Sequence, residues 1–428
     1  MLNSIVYNLV FTPAFIVYLP WFVKRLVQRG VGTEGFGERF GLFSKEKKGR
    51  LAALKDPTWV HAVSVGEVVA ALNFMRRWQE RDSSVCFVLS VTTTTAHAMA
   101  KEKLPPYGTL IYSPLDFLWS VQSALRVIQP TMLVIFEVEI WPNLIRQTRK
   151  FGARLALVNS RMSDKSSRGY SKMRWFFKPL FDSFDVICAQ SEKDVQRVEN
   201  IIGSGKNVIL CNTMKFDQPL PLATGSEDKT AFVHEVFGDY FQIISAASTH
   251  PGEEKMILEV FQHLQTQFNG LKLILTPRHT ERSGEVEKII SQYSLSYSLL
   301  KTDSPGTGVD VLLVNTTGEL IHFLAVSDIV YVGKSMCGNS GGHNIIEPAV
   351  FGKVIVHGSQ MQNFKQVVEI FQQENASLMV ENKKELQDIL KRLLADESLR
   401  KSYAQRSEQV VTKYRGAIDK TIDALLQL

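Results

Sequence analysis

Three acidic side chains stand where an apolar, strand-like run breaks into a turn. Glu67 closes the stretch HAVSVGE (61–67), and Glu137 and Glu139 sit in FEVEIWPN (136–143). A carboxylate carried over a crevice at the end of a strand can take a proton from a substrate hydroxyl, and doubly wound sheets place their chemistry at such ends. The run before Glu67 is short and a helical pattern, VVAALNFMRRW, follows it. Gly66 is expected to turn the backbone sharply there. Ser64-x-x-Glu67 also has the spacing of a capping box, in which the two side chains satisfy each other's backbone N–H groups; both readings stand. Glu137 and Glu139 are two apart, which puts both on one face if the strand runs through them. Such a pair suits acid/base work, a metal or a polar ligand. An exposed strand edge is the alternative, because unpaired buried carboxylates are costly.

Cations fall at comparable places. NSRMSDKSSRGY (159–170) offers Arg161, Lys165 and Arg168, or is a plain polar loop, and Lys215 in NTMKFD follows the last strand-like run of the first half. TPRHTER (276–282) puts Arg278 and His279 at a strand end, and arginine matches phosphate oxygens bidentately. In NTTGEL (315–320), Gly318 would allow a base or ribose to approach the backbone, and Glu319 could cap the next helix. STHPGEE (248–254) reads as a helix start, with Ser248 or Thr249 as cap and Glu253 and Glu254 in the first turn. The most pointed stretch is GKSMCGNSGGHNIIEPAVFGK (333–353). Its glycines, Gly338, Gly341 and Gly342, lead into a helix start, an arrangement that suits phosphate. Glu347, one turn further on, could accept both ribose hydroxyls of a nucleotide.

The elements that must position these residues alternate between strand and helix. Strand-like runs occur at 58–63, 85–93, 109–115, 132–139, 154–160, 185–191 and 207–213, and again at 241–249, 271–278, 311–315, 328–333 and 353–358. Near-continuous apolar strands separated by amphipathic helices indicate parallel sheets covered on both faces. At 428 residues two domains are expected. A Pro-, Gly- and polar-rich segment at 216–230 separates them. The expected division is an anchor at 1–30, an N-terminal Rossmann-like domain at 31–215, and a C-terminal one at 231–428, facing each other across a cleft.

The net charge of +6 is spread among acidic residues, so no nucleic-acid stripe is present. The four cysteines are far apart and form no CxxC pair; three of them lie in apolar strand-like runs and read as small core residues, and a reducing, cytoplasmic setting fits. Residues 4–23 are nearly all apolar and uncharged, and Lys24, Arg25 and Arg29 follow them. About 20 helical residues at ~1.5 Å each match a ~30 Å hydrocarbon core. The basic flank places the bulk of the chain on the cytoplasmic side. Asn8, Pro13 and Pro20 keep open the alternative of a helix lying in the membrane interface. Lys45, Lys47, Lys48 and Arg50 either meet an anionic lipid surface or belong to a solvated loop.

HAVSVGEV, FEVEIWPNLI, NSRMSDKSSRGY, STHPGEE, TPRHTER and GGHNIIEPA together resemble, in order and over nearly the whole chain, the signature stretches of the 3-deoxy-D-manno-octulosonic acid (Kdo) transferases of bacterial lipid A assembly. Val63, between Ala62 and Ser64, is a small variation that leaves the Ser-Val-Gly-Glu core intact. The resemblance implies a GT-B fold, with a lipid A precursor (lipid IVA) as acceptor on the N-terminal domain and CMP-Kdo as donor on the C-terminal one. Glu67 matches the family's general base, and Glu137 and Lys215 match transition-state stabilisers. Pro277 with Arg278, Gly318 with Glu319 and Leu320, and Asn344, Ile345, Ile346 and Glu347 match CMP-binding segments. The family implies inverting single displacement, no metal, no cofactor, and a site of action at the cytoplasmic face of the inner membrane. It leaves open how many Kdo units are added. The alternatives are a GT-B enzyme using a UDP-sugar and a membrane-tethered nucleotide binder without catalysis.

Overall fold

The computed structural model describes residues 2–28, 35–203, 207–218, 229–239, 242–302 and 306–428. Arg29 and most of the expected linker, 219–228, lie outside the described residues, as do the side chains of Lys24 and Arg25. The chain divides into two units, Met1–Gln218 with Arg415–Leu428, and Pro219–Tyr414.

In the first unit seven parallel strands form one sheet: β1 Thr58–Ala62, β2 Phe87–Val91, β3 Gly108–Tyr112, β4 Met132–Phe136, β5 Arg154–Ser160, β6 Val186–Ala189 and β7 Val208–Leu210. Their order is β3-β2-β1-β4-β5-β6-β7. All seven occupy expected runs, because each is an apolar segment with helices on either side. Period-two alternation splits the core between the two faces. Val60, Ala62, Phe136 and Val158 pack with Phe74 on one face, and Trp59, Ile135 and Leu157 pack with Phe181 on the other. The sheet grows one way from β1 through β2 and β3, then restarts on its other side with β4. β1 and β4 therefore flank the switch point, where doubly wound sheets bind ligands.

The second unit repeats the plan with β8 Gln242–Thr249, β9 Leu271–Pro277, β10 Tyr297–Leu299, β11 Val311–Leu313, β12 Ile329–Val332, β13 Val354–Gly358 and β14 Leu378–Val380, in the order β10-β11-β9-β8-β12-β13-β14. Here β8 and β12 flank the switch point. β10 and β14 are absent from the sequence expectation. Each is an edge strand of three residues.

The expected C-terminal boundary is corrected by the last helix, Ala417–Leu426. Its Ile418, Ile422 and Leu425 are buried in the first unit's core, and Asp217 of that unit accepts from the backbone N–H groups of Gly416 and Ile418, both at 2.7 Å. Arg77 and Arg81 pair with Asp419 and Asp423 on its outer face. An amphipathic helix shows that it has an apolar face, not which core receives it.

The N-terminal helix Leu2–Gln28 exists as expected, but among the described residues no helix is long and apolar enough to cross a membrane. One flank of it is committed to protein. The Tyr7 hydroxyl donates to the buried Asp116 carboxylate at 2.8 Å, Asn8 and Asn143 exchange amide hydrogen bonds, and Phe11 and Phe15 pack edge-on against Phe117. The other flank leaves Leu9, Val10, Ile16, Val17 and Trp21 exposed, with Trp119 and Trp175 exposed elsewhere on the unit. The basic stretch at 45–50 is a helix capped by Ser44 rather than a loop. Lys47 is tied to Glu38 and the Leu110 carbonyl, and Arg50 to Glu46.

Ile422→Ala should lower the denaturant-unfolding free energy of the first unit by about 2–4 kcal/mol. Arg77→Ala, which removes a half-exposed pair, should cost under about 1 kcal/mol. Equal losses would contradict the placement of this helix in the core.

Candidate active site

Each unit carries a cluster of charged groups on the loops beside its switch point. In the first, the chain leaves β1 through Val63 and an extended Ser64 into helix Val65–Arg81. The capping box is complete. Ser64 Oγ accepts from the Glu67 N–H at 3.3 Å, and the Glu67 carboxylate accepts from the N–H groups of Val63 at 2.9 Å and Ser64 at 3.2 Å. Glu67 is buried while Ser64, Val65 and Gly66 are exposed. Gly66 does not make the turn. It lies inside the helix without a left-handed φ, and a Cβ there would meet nothing among the described residues within 4 Å. It leaves bare backbone beside the carboxylate.

β4 stops at Phe136, one residue before Glu137. Glu137 is in the left-handed region at φ 56°, so the expectation that Glu137 and Glu139 share a face of one strand fails. The turn redirects them separately. Glu139 accepts from Trp141 Nε1 at 3.0 Å. Glu137 is mostly buried. Burial and the nearby Glu67 carboxylate push its pKa up to about 7, against the pull of Lys215 and Arg161. Lys215 sits on the short turn Met214–Asp217, which Asn159 at the end of β5 holds by accepting from the Met214 N–H at 3.1 Å. Burial, then Arg161, lowers the Lys215 pKa, and Glu137 raises it. The structure thus brings together Glu67, Glu137, Glu139, Lys215 and Arg161. Lys165 and Arg168 are exposed on helix Asp164–Lys172 and do not join them.

In the second unit the central group is Glu253, fully buried. One carboxylate oxygen accepts from Tyr331 Oη and the N–H groups of Ser335 and Met336, and the other from the N–H groups of His250 and Lys334, all within 2.8–3.1 Å. Glu253 therefore ties the loop after β8 to the loop after β12. The helix it opens is capped by Gly252, not by Ser248 or Thr249.

Around this tie stand Arg278 and His279 after β9, Lys334 after β12, and His250 and His343, whose Nε2 atoms are 3.0 Å apart. Burial and the surrounding cations hold His250 down to about 4 and His343 to about 3. Arg278 also acts on Glu347, whose pKa burial raises and Asn344 lowers. Asn344 donates to Glu347 Oε1 at 3.2 Å.

The glycine loop departs from expectation. Gly341 N–H donates to Gln360 and Gln362, and Gly342 N–H to the Lys334 carbonyl, so these donors are engaged. The helix that follows, Ile346–Val350, has five residues, and its Ile346 N–H is held by Asn344 Oδ1. The glycines serve packing: a Cβ on Gly342 would collide with the Met361 thioether. Pro277, Ile345 and Ile346 are buried, which leaves their side chains no part in a ligand contact. Gly318 is open at φ 92°, next to Leu320 at the start of helix Leu320–Val326. Glu319 precedes that helix without a cap hydrogen bond among the described residues, its carboxylate 3.6 Å from Lys229. The residues sequence reasoning passed over are His250, His343 and Lys334. They lie inside the quoted stretches; the available signal for His250 and Lys334 was their place directly after neighbouring strands, and for His343 its place in the glycine loop that follows β12.

A protein-family model described as "3-Deoxy-D-manno-octulosonic-acid transferase (kdotransferase)" matches residues 34–218, most of the first unit. A 3-deoxy-D-manno-octulosonic acid transferase of Rickettsia prowazekii is 31% identical over 86% of this chain and 78% of its own length. The chain belongs to this family. The family's enzyme from Haemophilus influenzae is 27% identical over 86% of each chain. The UDP-GlcNAc 2-epimerase of Neisseria meningitidis, 11% identical with a TM-score of 0.59 over 87% of this chain and all of that one, shares the two-unit fold. The chain is accordingly a Kdo-transferring glycosyltransferase of two parallel-sheet α/β units.

The raised Glu137 pKa has a stability consequence. The folded chain keeps this proton up to about pH 7, while the unfolded chain releases it near ~4.5. Stability therefore falls as pH rises between these values. Glu137→Gln should raise unfolding free energy at pH 8 by about 1–3 kcal/mol and change it little at pH 4. Thermal unfolding at the two pH values checks this.

Proposed function

We propose that the chain transfers Kdo from CMP-Kdo to a hydroxyl of a lipid A precursor, lipid IVA, by a single inverting displacement without a metal. The observation that carries this is the Glu67, Glu137, Lys215 and Arg161 cluster at the first unit's switch point.

Glu67 is the general base. Its two oxygens each accept one backbone N–H in the cap, which fixes the carboxylate's direction and leaves each a further lone pair for the acceptor hydroxyl. Gly66 gives that hydroxyl an unobstructed approach beside it. As the bond to CMP lengthens, the sugar carbon becomes electron-poor, as in other glycosyl transfers. Ionised Glu137 stabilises that charge, so transfer should slow as pH drops through about 7. Lys215 holds Glu137 toward its ionised form. In the second unit Arg278 takes the departing phosphate, whose charge grows in the transition state, and Glu347 takes the ribose hydroxyls.

The N-terminal helix serves the acceptor. Its exposed aliphatic and aromatic flank suits the headgroup boundary of a membrane, and its fixed flank keeps the unit beside the lipid it modifies. We place the protein on the cytoplasmic face of the bacterial inner membrane in this way.

Incubation with CMP-Kdo and lipid IVA should yield the Kdo-bearing lipid by mass spectrometry; transfer from a UDP-sugar instead would overturn the donor assignment. Glu67→Gln should lower kcat by about 10²–10⁴, while unfolding free energy falls by about 1–2 kcal/mol for the one cap hydrogen bond it loses. Wild-type turnover in this variant would leave Glu67 as a cap alone.

A further inference from the structure

His250 and His343 reach one another from loops on opposite sides of the second unit's switch point, rings 5.2 Å apart and 25° from parallel. At 3.0 Å their Nε2 atoms share a hydrogen bond, one donating and one accepting. The His279 ring stands edge-on to His250 at 5.7 Å. The charges that act on the pair are Lys334 after β12, Arg278 and His279 after β9, and Arg282 on the turn Thr280–Arg282.

The carboxylates of the neighbourhood are already engaged. Glu253 is filled by four backbone N–H groups and Tyr331. Glu254 is held by Arg282 at 2.8 Å, and Glu347 by Asn344. Arg282 is paired with Glu254 and Glu285, and His279 lies 3.5 Å from Glu281, but among the described residues Arg278 and Lys334 form no ion pair. Two cations are thus left beside two imidazoles, which is the composition of a site for more than one anion. A nucleotide monophosphate brings one. In a 2-ulosonic acid the carboxylate is attached to the same carbon as the phosphate ester, so the second anion arrives beside the first.

We propose that the His250–His343 pair, framed by Lys334 and Arg278, is the subsite for the carboxylate of the donor sugar, and that it positions the anomeric carbon and selects an acidic sugar nucleotide over a neutral one. The proposal rests on the CMP-linked donor argued above. On binding, the shared N–H···N hydrogen bond opens and each Nε2–H donates to the carboxylate. The second proton reaches its nitrogen by tautomer exchange or from solvent. These are positioning residues, and the CMP moiety is held without them.

The test is calorimetric binding of CMP and of CMP-Kdo to the full chain, without acceptor, for wild type, His343→Ala, His343→Gln and His250→Gln. Loss of a charge-assisted hydrogen bond should weaken CMP-Kdo about tenfold or more in His343→Ala. CMP affinity should stay within about twofold, since the pair is not a CMP contact. Each glutamine variant keeps an N–H near the Nε2 position and should fall between, which also covers the case of an alanine variant that does not fold. Equal weakening of CMP and CMP-Kdo, or weakening of neither, overturns the subsite while leaving the donor assignment standing. A wild-type chain that binds neither ligand removes the donor assignment and the subsite with it.

Discussion

A carboxylate buried at the end of a strand must find donors, because an unpaired charge in that position costs several kcal/mol. Both units meet this demand in the same way. After the first strand of each sheet the chain enters a helix, and an acidic residue in the first turn accepts backbone N–H groups from the turn before it. Glu67 holds Val63 and Ser64. Glu253 holds His250 and, across the switch point, three residues of the loop after β12. The two differ in what is left over. Glu253 is saturated and serves as a rivet. Glu67 keeps acceptor capacity beside an exposed helix start, and that remainder is available to chemistry.

The site residues around these ties are placed against local preference. Glu137 adopts a left-handed backbone and keeps its carboxyl near Glu67, where both burial and like charge oppose ionisation. His250 and His343 are packed among cations that oppose theirs. Such strain is tolerated because the central strands of the sheets beneath are buried, paired on both sides and packed on both faces.

Much of this was legible in the residues. The central strands were readable because parallel strands covered on both faces are long apolar runs, and Glu67, Lys215 and Arg278 were readable because each follows such a run. The capping box was visible as a spacing, and the structure shows that cap and candidate base are one group. Other features depend on partners remote in sequence. The destination of helix Ala417–Leu426 is set by a core completed roughly two hundred residues earlier. The fate of the glycine N–H groups at 341–342 is set by the loop at 360–362, and the meeting of His250 with His343 by the strand order. The period-two argument for Glu137 and Glu139 failed because β4 ended at Phe136, three residues short of the expected run to 139.

The most direct measurement of the account is a crystal structure of the chain trapped with an inert CMP-Kdo analogue and a lipid acceptor. The account predicts the acceptor hydroxyl about 3 Å from a Glu67 carboxylate oxygen, with the cap to Val63 and Ser64 intact and the nucleotide phosphate on Arg278. An acceptor hydroxyl hydrogen-bonded to Glu137 instead, with Glu67 closed off inside its cap, would contradict it.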